Sequence, residues 1–426
     1  MKKFNAIKNT FVSIGMVTLA TLTTTVNAQQ IPIDCPGYEL PKTKLLGERA
    51  GKKLNSAYEV YQDPEIEEQA RIAQTVEMLG EIEAKEPYDQ AYVEQFMGKL
   101  MISIDGKMND AYVVLKRATE RNALNDKDQA DMLKLMGDLS LQEEKFSEAI
   151  SWYDKWMEFT CKETPEVYLR SAQANFNIKK YDEAIAQADN SIRVNEEIDK
   201  RPYVLKLGAY HETKRYNDAV KVAEILVELL PEEGEWWARL GFLYMLVEDF
   251  DSALATMSVA YDQGFLSKKN EIRALAQLYA QKEIPIKSAE LQKKYMDTGL
   301  LDNGAKDLAT LANVYLAARE TKEAAKYYGQ AGAKDPDPEY FRKQGVMLMQ
   351  SEDYVSAIGA LTKALDNGAE EGKTHYSLME ANFYAGRFRA ANVHAKEAIK
   401  DPQLRRSARA WLPYIKQKAD ARGIKL

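Results

Sequence analysis

Apolar residues between positions 235 and 265 recur at the spacing of a helix and divide into two stripes. The first stripe comprises Trp237, Leu240, Gly241 and Tyr244. After the acidic pair at 248–249, the second comprises Phe250, Ala253, Met257 and Ala260. Because small residues let two helix axes approach closely, this pattern predicts a helical hairpin. One hairpin cannot bury its own apolar face, so neighbours of the same kind are expected.

The hairpin pattern recurs along the chain at a nearly constant interval. In each unit an alanine follows an aromatic residue, or its substitute, by three positions: Phe146 and Ala149, Tyr181 and Ala184, Tyr216 and Ala219, Phe250 and Ala253, Ile286 and Ala289, Thr321 and Ala324, Tyr354 and Ala357, Phe388 and Ala391. The successive alanines are 35, 35, 34, 36, 35, 33 and 34 residues apart. Eight units at this period predict a solenoid of helical hairpins. The fifth unit departs from the pattern, since its turn reads Ile284-Pro285-Ile286 and its first helix lacks the small glycine.

The chain divides into five segments on this basis. Residues 1–28 combine lysines, a short apolar run and a small-residue Val-Asn-Ala end, which predicts a signal peptide cleaved after Ala28. Residues 29–44 contain three prolines and predict an extended arm. Degenerate helical hairpins are expected over 45–128, an array of about eight repeats over 129–403, and a capping helix over 404–426.

Composition and charge narrow the classes of partner. Apolar residues make up 45% and charged residues 29%, as in a soluble folded protein. The leader carries three lysines and no acid, so the mature chain has 55 basic and 65 acidic side chains, a net charge of −10. Because phosphates require a basic face, we expect no nucleic-acid partner. We expect no transmembrane segment in the mature chain, since no second long apolar run follows.

The last 26 residues reverse the charge balance, with seven basic side chains against two acidic ones between 401 and 426. A solvated face on the closing helix is the ordinary explanation, and a contact with lipid or a partner is the alternative.

The two cysteines, Cys35 and Cys161, leave two alternatives open. In an oxidising compartment they form a disulfide that closes a loop of more than a hundred residues. Otherwise they are two unpaired thiols.

No combination of residues in the sequence predicts catalysis. The three histidines, His211, His375 and His394, are interpreted as lying on different repeats or faces, and no glycine-rich phosphate loop is present. We therefore expect no catalytic residue, no metal and no cofactor. The alternative from another class, a hydrolase acting on peptidoglycan, has one indication in Glu380 beside Tyr376 and Phe383.

The order of large and small residues in these units resembles the tetratricopeptide repeat. The resemblance implies an all-α, right-handed superhelical solenoid of helical hairpins closed by a C-terminal helix. In such a solenoid the first helices line a concave groove that binds a polypeptide. First-helix residues outside the packing stripe should line it, and a one-place error in helix phase would return each of them to the core: Gln173, Phe176, Phe242, Met245, Asn313, Arg342, Met349, Tyr376 and Phe383.

A narrower resemblance concerns the stretch CPGYELPKTKLLGERAGKKLNSAYEVY, from Cys35 to Tyr61. It is similar to exported tetratricopeptide proteins of marine gammaproteobacteria that accompany TonB-type energy-transduction components. This resemblance implies a periplasmic accessory that contacts TonB-complex proteins and supports TonB-dependent uptake, for example of iron chelates. The alternative is an envelope-assembly or cell-division factor that holds an outer-membrane or periplasmic protein in the same groove. The oligomeric state stays open.

Overall fold

A computed structural model describes residues 33–426 of the chain. The predicted signal peptide and its cleavage after Ala28 lie outside the described residues. Over 33–426 the chain forms 21 α-helices and no β-strand, which confirms the all-α prediction. No helix in this part of the chain is long and apolar enough to cross a membrane.

The chain separates into two compact units that divide after Asn195. The described part of unit 1 contains an arm without helix from residue 33 to residue 46, and then eight helices. These are α1 (Glu48–Gln62), α2 (Glu68–Gly80), α3 (Pro87–Met101), α4 (Met108–Glu120), α5 (Asp126–Gln142), α6 (Phe146–Thr160), α7 (Pro165–Asn177) and α8 (Tyr181–Val194).

Unit 2 begins at Glu196 and contains the other thirteen helices. These are α9 (Arg201–Glu212), α10 (Tyr216–Leu229), α11 (Gly234–Leu246), α12 (Phe250–Asp262), α13 (Lys269–Gln281), α14 (Pro285–Asp297), α15 (Ala305–Ala317), α16 (Thr321–Lys334), α17 (Pro338–Gln350), α18 (Tyr354–Asp366), α19 (Glu371–Tyr384), α20 (Phe388–Ala398) and the closing helix α21 (Arg405–Asp420).

A common turn joins the two helices of every repeat from α5–α6 to α19–α20. One turn residue has left-handed backbone geometry, and the N–H of the next residue donates to the carbonyl five positions earlier, as Asp249 does to Tyr244 at 2.9 Å. The last repeat has Gly386 at the left-handed position. The other seven have a non-glycine residue there, with φ between 57° and 63°: Glu144, Lys179, Lys214, Glu248, Glu283, Arg319 and Glu352.

Small residues decide how closely the two helices of a hairpin pack. A β-carbon added to Gly241 would lie 2.4 Å from Met257 Cγ, nearer than side-chain atoms approach one another. Gly345 stands in the same relation to Leu361, at 2.5 Å. The alanine that marks the second helix is fully buried in the repeats around them, as Ala253 illustrates. The predicted close contact at Gly241 is therefore present, and Met257 is the residue that fills the space.

The fifth repeat corrects two details of the sequence interpretation. Its turn residue is Glu283 and its second helix begins at Pro285, so Ser288 takes the fourth helical position that Ala253 takes in α12. Ala289, the predicted marker, lies one position beyond Ser288, although both side chains are fully buried. Ala276, seven residues before the turn residue as Gly241 and Gly345 are in their repeats, is the small first-helix residue that the sequence pattern did not reveal.

The N-terminal arm is attached to unit 1 by a disulfide and by hydrogen bonds. Of the two alternatives for the cysteines, the structure has the disulfide, with the Cα atoms of Cys35 and Cys161 4.9 Å apart. Tyr38 donates to the Asp126 carboxylate, which raises the pKa of the tyrosine to about 12. The Lys44 ammonium donates to the carbonyls of residues 123 and 124. The arm therefore contacts the start of α5, the α4–α5 loop and the end of α6.

Candidate protein-binding surface

Two successive first helices of unit 2, α13 and α15, carry an exposed side chain at an equivalent position. This position directly follows the small residue that packs on the second helix. Gln277 follows Ala276 on α13, and Asn313 follows Ala312 on α15; both are exposed. Since equivalent positions of stacked repeats lie on one face, these residues share a surface of unit 2 that we call the first-helix face.

Asn313 is anchored to its own repeat by a hydrogen bond from the Tyr328 hydroxyl to its side-chain oxygen. The ring of Tyr328 is buried, and burial raises the pKa of its hydroxyl. Unit 1 contains the equivalent pair, in which the Tyr153 hydroxyl donates to Asp138 at 2.8 Å. The hydrogen bond fixes the Asn313 carbonyl oxygen, and the amide nitrogen is left to face a ligand.

Arg342 supplies a cation on the first-helix face. Its guanidinium is half-buried and donates two hydrogen bonds of 2.7 Å to the Glu339 carboxylate one turn earlier. This pairing holds the pKa of the Glu339 carboxyl below its usual range. Met349, on the same helix, is half-buried against the core cluster of Leu361 and Leu378. Arg342 is thus held in one orientation with its charge partly offset.

The other predicted groove residues of the first helices divide between surface and core. Gln173 in unit 1 is exposed. Phe176 is half-buried and lies edge-on to Tyr181 of its own repeat, with ring centroids 5.4 Å apart. Phe242 and Met245 in unit 2 are half-buried against the core of that unit. The aromatic residues therefore contribute to packing within the repeats, and the polar residues remain at the surface.

At the C-terminal end the groove prediction is corrected. Phe383 is 8% exposed and packs against Phe388 and the closing-helix residues Trp411 and Tyr414, so it does not line an open groove. Tyr376 is half-buried in the same cluster, and its hydroxyl oxygen accepts a hydrogen bond of 3.1 Å from the indole of Trp411. The closing helix α21 covers both residues because its apolar side needs the same burial as that of a repeat helix.

The side chains of two of the three histidines are in contact, whereas the sequence interpretation placed all three on different repeats or faces. The Nδ1 atoms of His375 on α19 and His394 on α20 are 2.9 Å apart, so one ring donates and the other accepts. Burial, followed by the neighbouring His375, lowers the pKa of His394. Glu380, the residue that suggested hydrolysis, has a pKa raised by burial. Within residues 33–426 no group of three or more His, Cys, Asp or Glu side chains is placed to hold a metal ion.

The sequence patterns did not predict two features of unit 2. Gln277 was missed because the sequence pattern placed the alanine marker at Ala289, one position beyond its structural equivalent Ser288, so that Ala276 was not recognised as the small first-helix residue. An open cleft of about 560 Å³ lies between α12 and α14, where the Lys294 ammonium donates to the Tyr261 hydroxyl at 2.8 Å. The available signal for Gln277 was Pro285, because proline favours the first turn of a helix and so marks where α14 begins.

Residues 310–371, from within α15 through α18 to the start of α19, match the sequence model of the family described as "Tetratricopeptide repeat". Over residues 310–371 the chain carries the tetratricopeptide repeat. Gly345 and the buried Ala312, Ala324 and Ala357 of this stretch have the packing described above.

Curated proteins with similar repeats include two phosphatases. Serine/threonine-protein phosphatase 5 of Rattus norvegicus is 29% identical over 125 residues, covering 28% of this chain and 25% of the phosphatase. Serine/threonine-protein phosphatase T of Trypanosoma brucei brucei is 27% identical over 131 residues, covering 30% of this chain and 27% of that enzyme. The match thus covers about a quarter of the length of these relatives.

Two solved structures have low similarity to this chain. The C-terminal part of a TPR repeat-containing protein from Cytophaga hutchinsonii is 15% identical and covers 65% of this chain and 98% of that chain, with a TM-score of 0.34. A MamA fragment from Desulfovibrio magneticus RS-1 is 19% identical and covers 42% of this chain and 96% of that chain, with a TM-score of 0.33.

Proposed function

We propose that this tetratricopeptide protein is a non-enzymatic periplasmic scaffold that binds a protein segment on its first-helix face. We further propose that it serves as an accessory of a TonB-dependent transport system for iron uptake. The observation that carries the binding role is the row of polar side chains on successive first helices. Gln277 and Asn313 are exposed at equivalent positions of α13 and α15, and on the next first helix Arg342 lies one helical turn before Val346, the residue at that position.

The chemistry of this row fits an extended polypeptide. Side-chain amides donate and accept hydrogen bonds, so Gln277 and Asn313 suit the alternating N–H and C=O groups of a peptide backbone. Arg342 adds a planar cation for a carboxylate or a carbonyl of the segment. The half-buried Met349 on the same helix offers an adaptable apolar contact.

The proposed compartment is supported by the disulfide. A bond between Cys35 and Cys161 persists in an oxidising environment such as the periplasm and is rare in a reducing cytosol. The link to TonB rests on the resemblance of residues 35–61 to exported proteins that accompany such systems. The partner is therefore the part of the proposal that most needs an experiment.

Photo-crosslinking in intact cells tests the site and the partner together. A photo-reactive amino acid replaces Gln277, which is exposed and packs against no buried cluster. The matched control carries the same group at Thr362, an exposed position on the second helix α18. Tyr376 is unsuitable because it lies beneath the closing helix. Crosslinked proteins are identified by mass spectrometry.

Capture of TonB-complex proteins from position 277 and not from 362 would support both the site and the transport role. Capture of assembly or division proteins from 277 would keep the scaffold but replace the transport role by the envelope-assembly alternative. Equal capture from both positions would contradict the first-helix face as the binding site.

A further inference from the structure

The closing helix α21 differs in charge from the rest of the chain. Between Arg405 and Asp420 it carries five basic residues and one acidic residue, a net charge of +4 in a chain whose total is −7. No other helix between residues 33 and 426 is as positive. A local cationic surface on an acidic protein attracts ligands of opposite charge to one place.

Only one side of α21 packs against the preceding repeat. Ala408, Ile415 and Ala419 are fully buried against the preceding repeat. On the outer side Lys416 pairs with Asp420, and the Arg405 guanidinium donates to a backbone carbonyl. Arg406 and Arg409 are exposed and have no acidic partner in the part of the chain that the structure describes. These two guanidinium groups are free to bind an external anion.

A continuous strip of aromatic rings borders the same helix. It consists of Tyr354, Tyr384, Trp411 and Tyr414, with successive ring centroids 5.2, 6.3 and 5.9 Å apart. Tyr384 is 55% exposed and Tyr414 is 44% exposed. The Lys418 ammonium lies 5.6 Å from the centre of the Tyr414 ring, so the strip has a cation at its end. Exposed tyrosine and tryptophan rings are common anchors in protein interfaces.

We propose that the outer side of α21 and this aromatic strip form a second docking surface, which binds an acidic protein segment carrying an aromatic or other apolar anchor residue. Carboxylates of the segment pair with Arg406 and Arg409, and the anchor packs on the rings of Tyr384 and Tyr414. The positive charge of this surface favours an acidic partner, because the two free guanidinium groups form planar pairs with carboxylates. This surface is distinct from the first-helix face.

A protein segment fits this surface better than a lipid bilayer does. A helix that lies in a membrane interface needs an unoccupied apolar face, and the apolar face of α21 is already packed against α20. Its outer side offers Ala410, Pro413 and Tyr414 and no exposed leucine, isoleucine or phenylalanine. The strip provides flat ring surfaces for a single side chain, which suits a peptide anchor.

Fluorescence anisotropy with the full mature chain tests this proposal. The probe is a labelled short peptide of alternating glutamate and aspartate with one central tryptophan. One comparison peptide has every acid replaced by its amide, and another has alanine in place of tryptophan. We expect the acidic tryptophan peptide to bind about tenfold more tightly than either comparison peptide. Arg406→Glu/Arg409→Glu should weaken its binding about tenfold or more, and Tyr384→Ser should reduce its preference for tryptophan over alanine.

Two control variants separate this surface from general charge and from folding. Lys127→Glu/Lys322→Glu makes the same change in net charge at exposed positions on α5 and α16, and Tyr58→Ser removes an exposed tyrosine from α1. Each should bind as the wild type does, with unchanged helical circular dichroism.

An equal loss of affinity in the Lys127→Glu/Lys322→Glu variant would overturn the assignment to α21. The proposal would also be overturned if the peptide did not bind while vesicles of anionic phospholipid did. Self-association abolished by the arginine variant, without peptide binding, would replace the acidic segment by a second copy of the chain. None of these substitutions alters Gln277, so crosslinking from that position tests the first-helix face independently.

Discussion

At the scale of single residues, Gly241 sets the distance between α11 and α12. A β-carbon there would approach Met257 Cγ to 2.4 Å, and Met257 is fully buried. We expect Gly241→Leu to force the two helices apart and lower the free energy of unfolding by about 1–3 kcal/mol or more. Urea unfolding followed by circular dichroism measures the change.

Gly359 is the matched control for this substitution, because it also lies inside a helix but has no atom within 4 Å of an added β-carbon. Gly359→Ala should raise the free energy of unfolding by about 0.5–1 kcal/mol through the higher helix propensity of alanine. An unchanged midpoint for Gly241→Leu would show that the helices do not depend on the glycine for their approach.

The left-handed turn residues give a second prediction at this scale. Lys214 has φ of 57° and an exposed side chain, whereas the equivalent residue of the last repeat is Gly386. A residue with a β-carbon is strained in this conformation by about 1 kcal/mol or more, and glycine is not. We expect Lys214→Gly to stabilise unit 2 and Gly386→Ala to destabilise it, each by about 1 kcal/mol. Thermal unfolding of the two variants should therefore shift in opposite directions.

At the scale of elements, the histidine pair links the stability of the α19–α20 hairpin to pH. Burial and His375 lower the pKa of His394 below its ordinary value of 6.5. As pH falls below that value, the unfolded chain takes up a proton that the folded hairpin still excludes, so the folded state loses stability. We expect chemical denaturation midpoints to fall between about pH 7 and pH 5, and the fall to be smaller in His394→Gln.

His211 provides the comparison for this pH dependence, since it is exposed on α9 and lies far along the chain from the pair. His211→Gln should keep the pH dependence of the wild type. If His394→Gln kept it as well, the acid sensitivity would have to come from other groups, and the buried pair would not limit stability.

The sequence predicts the helices of the repeats well because each hairpin needs the same buried alanine and the same turn. Its errors have local physical causes. The second helix α14 begins at Pro285, so Ser288 takes the position of the marker alanine and Ala289 lies one position beyond it, although the turn is as long as in the other repeats. The contact between His375 and His394 could have been found, since residues at similar distances on either side of a hairpin turn face one another.

The candidate site was less predictable because it depends on which elements cover a helix. Asn313 on α15 is exposed and Arg342 on α17 is half-buried. Tyr376 and Phe383 have the same spacing from their turn as Arg342 and Met349, yet α21 half-buries Tyr376 and buries Phe383. Periodicity gives the phase of a single helix, and it does not state where the closing helix docks.

At the scale of the whole molecule, the disulfide should make unit 1 more stable than its packing alone would. Cys35 and Cys161 are 126 residues apart, and a cross-link over such a loop restricts the unfolded chain by about 5 kcal/mol in the chain-entropy model. We expect Cys35→Ser/Cys161→Ser to speed hydrogen exchange in α5 and α6 of unit 1 and to leave α11 and α12 of unit 2 unchanged. Mass spectrometry of peptides from both units measures this in one sample.

The variant Lys44→Ala removes the ammonium hydrogen bonds of the arm but keeps the disulfide, and it should accelerate exchange far less. Equal acceleration in both units would mean that they unfold as one cooperative body, and the disulfide would then stabilise the whole chain.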